Sequence, residues 1–190
     1  MIAVWRMPQT SSIKSLTSGG KMRIILLGLP GAGKGTLGQK LAQALGVPHL
    51  SLGDCVRDAL KKDNPLSSQI RAALSVSQRW QPLNDELAHR VFLEFAAPDC
   101  IVDGFPRNLE QLGLFNPQQD DRFIYLEISE AESCDRILRR NRSDDALVVW
   151  RQRIEFERQR LPQLVEKSRA SVVSGEGDAD KIFDEILKLV

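Results

Sequence analysis

Apolar positions change period along this chain, and the changes mark out its elements. Ile24-Ile25-Leu26-Leu27 is a continuous apolar run closed by Gly28, and it reads as a buried strand over 23–27. After a glycine-rich turn, Leu37, Leu41 and Leu45 recur every fourth residue until Gly46 stops them. That spacing predicts a helix of about three turns with a C-terminal glycine. Val47 to Leu52 give the next strand, read over 48–52, and Asp54 is placed to cap the helix after it. Helical spacing returns over Leu66–Val76 and Asp85–Phe95, the second opened by the polar run at 84–86. Short apolar runs at 100–103, 123–128 and 171–174 read as further strands. Between the last two, Trp150, Ile154, Leu161 and Leu164 form an apolar stripe, and Pro162 is expected to kink or interrupt its helix. Lys181–Val190 closes the chain as an amphipathic helix. Strands alternating with helices predict an α/β fold, a five-stranded parallel sheet flanked by helices. The all-helical run between the second and third strands exceeds what one crossover needs, which predicts an inserted lobe.

Composition narrows the classes. Lysine and arginine (26) balance aspartate and glutamate (25), so no global charge argues for nucleic acid or membrane as a partner. No apolar run approaches the ~20 residues of a bilayer span. The three cysteines, Cys55, Cys100 and Cys134, stand far apart, which argues against a disulfide framework or a zinc site. A reducing, cytoplasmic setting suits them. Residues 1–21 are Ser/Thr-rich, carry Arg6, Lys14 and Lys21 without an acid, and end in Ser18-Gly19-Gly20. They read as a disordered extension or as an early start ahead of Met22; organelle import through them stays open.

The first turn carries the chemistry. Strand, then Gly28-Leu29-Pro30-Gly31-Ala32-Gly33-Lys34, then helix is the order of a P-loop. Such a loop curls its N–H groups toward an anion, and the helix that follows points its positive dipole end to the same place. Lys34 adds a cation for phosphates, and the Thr36 hydroxyl can reach Mg²⁺. Asp103, ending the third strand, reads either as a turn former or as an acid beside a Mg²⁺-bound water. The arginines at 136–160 read as a solvated helix face or as a polyphosphate clamp. In the second reading Arg136 and Arg140 share one helix face, while Asp144 and Asp145 cap a helix carrying Arg153.

From Met22 to Val190 the chain resembles the adenylate kinase group of nucleoside monophosphate kinases. The resemblance rests on residues 28–36, Gly53-Asp54 with Arg57, and Asp85-Glu86-Leu87. It extends through Asp103-Gly104-Phe105-Pro106-Arg107 with Gln111, then Asp135-Arg136 with Arg140, then Arg142, Asp144-Asp145 and Arg153. It implies a P-loop NTPase-type fold with an acceptor lobe over about 52–95 and a short lid over about 139–146. It further implies transfer of the γ-phosphoryl group of ATP to AMP with Mg²⁺, by a monomer. A UMP/CMP or other nucleoside monophosphate kinase, or a catalytically weak nucleotide-binding relative, is the alternative.

By the same resemblance, Gly31, Ala32, Gly33, Lys34, Gly35 and Thr36 would hold the donor phosphates, and Arg136 would lie over the donor base. Arg57 and Arg107 would bind the acceptor's phosphate, Gln111 would bond its base, and Leu52, Leu83 and Gly104 would line its pocket. Arg140, Arg142 and Arg153 would neutralise the moving phosphoryl group, Asp144 and Asp145 would orient the lid arginines, and Asp54 and Asp103 would hold Mg²⁺ through water. His49 and His89 read as structural. Leu52 stands where adenylate kinases usually carry Thr, and the segment Ser75–Asn84 departs from the family's usual glycine-containing pattern.

Overall fold

The computed structural model describes residues 22–75, 82–140 and 147–190. The disordered extension expected over 1–21, most of the short lid, and the lid residues Arg142, Asp144 and Asp145 lie outside the described residues. Five parallel strands form one sheet in the order β2-β3-β1-β4-β5. They are β1 (Arg23–Gly28), β2 (His49–Ser51), β3 (Cys100–Asp103), β4 (Arg122–Glu127) and β5 (Ser171–Ser174). The central strands are buried along nearly their whole length, which is why their sequences are continuous apolar runs. Leu26 pairs with Asp103, Ser51 with Asp103 and Gly28 with Leu126, so the glycine turn and the acid reach the same carboxyl edge of the sheet. In open parallel sheets that edge is where ligands bind.

The helices are α1 (Lys34–Leu45), α2 (Leu52–Leu60), α3 (Pro65–Ser75), α4 (Asp85–Phe95), α5 (Leu109–Phe115), α6 (Glu130–Arg140), α7 (Leu147–Ser168) and α8 (Ala179–Leu187). Gly46 ends α1 in the left-handed conformation, its N–H donating to the Ala42 carbonyl, as the sequence predicts. A small apolar cluster of Cys55, Ala59, Ile70, Leu87 and Val91 packs α2, α3 and α4 together, apart from the main core around the sheet. Leu52, Leu83 and Phe95 touch both clusters, so the helical lobe has its own core and a shared seam.

Several boundaries differ from the expectations. Leu52 opens α2 rather than ending β2, so Ser51 takes the cap position and Asp54 falls inside the first turn. An acid in the first turn lies near the positive end of the helix dipole. Pro162 does not interrupt α7, which runs unbroken from Leu147 to Ser168. Ile154, Leu161 and Leu164 bury its inner face on both sides of the proline, and tertiary packing of that face outweighs one lost backbone bond. Asp178 caps α8 by accepting from the N–H groups of Asp180 and Lys181, so the helix starts at Ala179, two residues ahead of the expected Lys181. The short helix α5 carries no periodic signal of its own; Asn108 caps it.

Candidate active site

The turn after β1 is built to present N–H groups. Gly33 caps α1 at φ 93°, in the left-handed region that favours glycine. No side chain caps the helix, and its first turn holds no acid. The first N–H groups of α1 and the positive dipole end are therefore left to an external anion. Lys34 folds back over the loop, its Nζ donating to the carbonyls of Gly28 (2.7 Å) and Leu29 (2.9 Å). Burial lowers the pKa of this ammonium, while Asp103 and Glu157 push it up and Arg107 and Arg140 push it down.

Helix α6 is locked onto the same loop. Ser133 Oγ donates to the Pro30 carbonyl at 2.6 Å, and the indole N–H of Trp150 donates to Ser133 Oγ at 3.0 Å. Trp150 is thus a half-buried brace between α7 and α6 as well as part of the apolar stripe. Arg136 bridges three segments: Nε donates to Glu132 (2.6 Å), and Nη1 to the carbonyls of Gly175 (2.8 Å) and Gly31 (3.4 Å). Its guanidinium is held beside the loop, where a stacked base would meet a flat cation.

The opposite wall comes from the turn after β3 and from the helical lobe. Arg107 Nε donates to the Gly104 carbonyl at 2.8 Å, and Nη1 lies 3.7 Å from Glu157 Oε1. Leu52 and Arg107 both flank Gly104. Gln111 is buried, with Oε1 accepting from the Arg107 N–H and Nε2 donating to Asp85, each at 2.8 Å. Asn108 donates to the same Asp85 oxygen, so Asp85 ties α4 to the arginine-bearing turn. A base contact from Gln111 would exchange one of these bonds for another. Arg57 is exposed and paired with Asp54 one turn earlier on α2.

Every described candidate lines one cleft of about 1150 Å³: residues 31–36, Leu52, Asp54, Arg57, Leu83, Asp103, Gly104, Arg107, Gln111, Arg136, Arg140 and Arg153. That exceeds the ~300–1,000 Å³ of an ordinary single-ligand pocket. A family model described as an AAA domain matches residues 27–151. An adenylate kinase from Mycolicibacterium smegmatis is 32% identical over 176 residues, covering 87% of this chain and 97% of that protein. One from Thermus thermophilus is 34% identical over 177 residues, covering 86% and 94%. Adenylate kinase 1 of a Nostoc species is 31% identical over 176 residues, covering 86% and 96%. The chain belongs to the adenylate kinase family.

Asp103 is 8% exposed, and its Oδ2 faces the start of α1, 3.9 Å from where a Cβ on Gly35 would sit. Thr36 is exposed on the same turn. Among the described residues no three His, Cys, Asp or Glu side chains cluster as a metal cage. One buried carboxylate and a hydroxyl beside a phosphate-binding turn suit Mg²⁺, which keeps most of its waters. Asp54 fits less directly, being paired with Arg57. The sequence reading missed Glu157, a buried acid in the cleft wall. Its position four residues after Arg153 is the signal that would have found it, since both then share a helix face. Of the two histidines, His49 lines the same cleft and packs against Gly38, while His89 stacks on Phe105 with ring centres 6.1 Å apart.

Proposed function

We propose that this chain reversibly transfers the γ-phosphoryl group of ATP to AMP, forming two ADP. The observation that carries the reading is that one cleft holds both a P-loop and, across from it, Arg57 and Arg107 beside an apolar floor of Leu52, Leu83 and Val56. A donor triphosphate fits the N–H groups of Gly31 and of residues 33–36 and the Lys34 ammonium, the Ala32 N–H being donated to the Leu29 carbonyl, with Arg136 against its base. The acceptor's phosphate fits Arg107 and Arg57, and its base fits the apolar floor beside Gln111. Arg140 and Arg153 from the described wall, and Arg142 from the short lid, neutralise charge on the phosphoryl group in flight, with Asp144 and Asp145 orienting the lid. Phosphoryl transfer asks a protein for positioning and charge neutralisation rather than a covalent nucleophile. Asp103, with Thr36 and more distantly Asp54, would hold Mg²⁺ through water, and the bound ion would neutralise phosphate charge. Closure of the lobe over 52–95 and of the lid would exclude water from the transfer.

The test is ADP formation from ATP with AMP, dAMP, CMP, UMP and GMP in turn. AMP is expected to lead; activity with AMP more than about tenfold below the best alternative overturns the assignment of the acceptor. Lys34→Ala and Arg107→Ala should each lose at least ~10²-fold in kcat/KM, as removal of a well-aimed donor usually does. Near-normal kinetics for either would remove its assigned role.

A further inference from the structure

Glu157 is an acid in the cleft that the mechanism above leaves unused. It sits on α7 one turn after Arg153 and is only 7% exposed. Arg107, from the turn after β3, approaches it at 3.7 Å; Lys34, from the start of α1, and Arg160, on its own helix, add positive field. Asp103 and Arg140 act on the same lysine, Asp103 opposing its loss of charge and Arg140 favouring it. The Arg107 guanidinium is thus fixed on one edge by the Gly104 carbonyl and drawn on the other toward a carboxylate. A fork hydrogen-bonded at one edge and attracted by charge at the other is aimed before any substrate arrives. Yet the same cations must receive phosphates, and a buried carboxylate beside them repels an incoming dianion.

Building on the phosphotransfer reading above, we propose that Glu157 is a positioning residue. Its carboxylate holds Arg107 over the cleft as a stand-in for the acceptor's phosphate, and it gives up that place by taking one proton from solvent when the phosphate arrives. Burial already biases this carboxyl toward its protonated form, with Arg107, Lys34 and Arg160 restraining it. Loss of its negative charge then leaves the guanidinium to the phosphate alone.

The experiment is calorimetry of AMP binding to the full chain in buffers of different ionisation enthalpy, at pH about 8. There a phosphate monoester, with its second pKa near ~6, is already dianionic and contributes little to the proton count. The wild type is expected to take up as much as one proton per AMP bound, less only by the share of Glu157 already protonated in the free protein, and Glu157→Gln to take up none. In steady-state kinetics Glu157→Gln should lower the KM for AMP and lower kcat, each by about three- to tenfold, because the competitor and the aiming contact disappear together. An equal proton count in the two proteins, or a raised KM with kcat unchanged, overturns the proposal. If Glu157→Gln does not fold, the wild-type measurement decides alone, and an absence of net uptake overturns it. A wild type that neither forms ADP nor binds AMP overturns the phosphotransfer reading and this proposal with it. Normal turnover without proton uptake overturns this proposal only.

Discussion

At Gly38 the helix following the P-loop leaves room for a histidine ring instead of a methyl group. A Cβ there would lie 2.5 Å from His49 Nε2 and 2.7 Å from its Cδ2. In an open helix interior, replacing Gly by Ala gains up to ~1 kcal/mol. Here the ring is wedged between α1 and β2, and overpacking of this kind typically costs ~1–3 kcal/mol. Gly38→Ala is therefore expected to lower the urea midpoint, and His49→Ala in the same chain to relieve the loss, which a double-mutant cycle measures. Equal effects of Gly38→Ala with and without His49 would show that the two do not touch. Residues of this kind mark the limit of what the sequence discloses. The glycine turn over residues 28 to 36 is legible because strand, loop and helix are contiguous and the pattern is local. The place of Glu157 in the cleft is not, because Lys34 and Arg107, which lie near it there, come from distant parts of the chain. Gln111 sits between the two cases: its cleft position was legible, but its bonds to the Arg107 N–H and to Asp85 belong to the tertiary packing.

Among the elements, β1 depends on an ion pair at its start. Arg23 donates Nε to Asp121 Oδ1 at 2.8 Å and Nη2 to Oδ2 at 2.5 Å, while its guanidinium lies 3.9 Å from the centre of the Phe115 ring. Asp121 also accepts from the Gln118 N–H at 2.7 Å, and its side chain is 1% exposed. This pair ties the first strand to the loop joining α5 and β4. Removing one partner of a buried pair strands the other, so Asp121→Ala should cost about 3–5 kcal/mol. The exposed pair Lys61–Asp58 at the C-terminal end of α2 supplies the contrast, and Asp58→Ala should change stability by less than about 1 kcal/mol. Chemical denaturation of both variants checks the difference; equal effects would deny the buried pair its role. All five strands were legible to within about two residues because each is a short apolar run with a turn beside it. Helix ends were less so. Ser51 and Asp54 are both good capping residues three apart, and only the packing of Leu52 against both apolar clusters decides where α2 begins. α5 gives no sequence signal, since its seven residues are too few to set a period.

Taken as a whole, the molecule carries buried titrating groups that shape its stability at both ends of the pH scale. His49 Nε2 is buried without a hydrogen-bond partner among the described residues, and burial pushes the imidazole below its ordinary value of 6.5 against the pull of Asp103 and Asp54. An unfolded chain therefore takes a proton near pH 6.5 that the folded chain refuses until the pH is lower. The stability linked to His49 is present above 6.5 and lost as the pH falls through the lowered value. Cys55 works in the opposite direction: burial, then Asp54 and Asp58, push its thiol from 9.0 up to about 11. The unfolded thiol ionises first, so stability is intact below 9 and declines as the pH rises toward about 11. Cys100 and Tyr125, both raised by burial, slope the same way. Glu157, also raised, subtracts stability as the pH climbs from the ordinary carboxylate range through its own raised value, so it partly offsets His49 where their windows overlap. Comparing each variant with the wild type separates these contributions. Urea midpoints measured from mildly acidic to alkaline pH should show that His49→Gln flattens the decline below 6.5. Cys55→Ala should flatten the decline between 9 and about 11 and leave the acid side unchanged. Parallel curves for the wild type and His49→Gln on the acid side would show that the imidazole titrates as it does in the unfolded chain, and that the ring packed against Gly38 is reached by water.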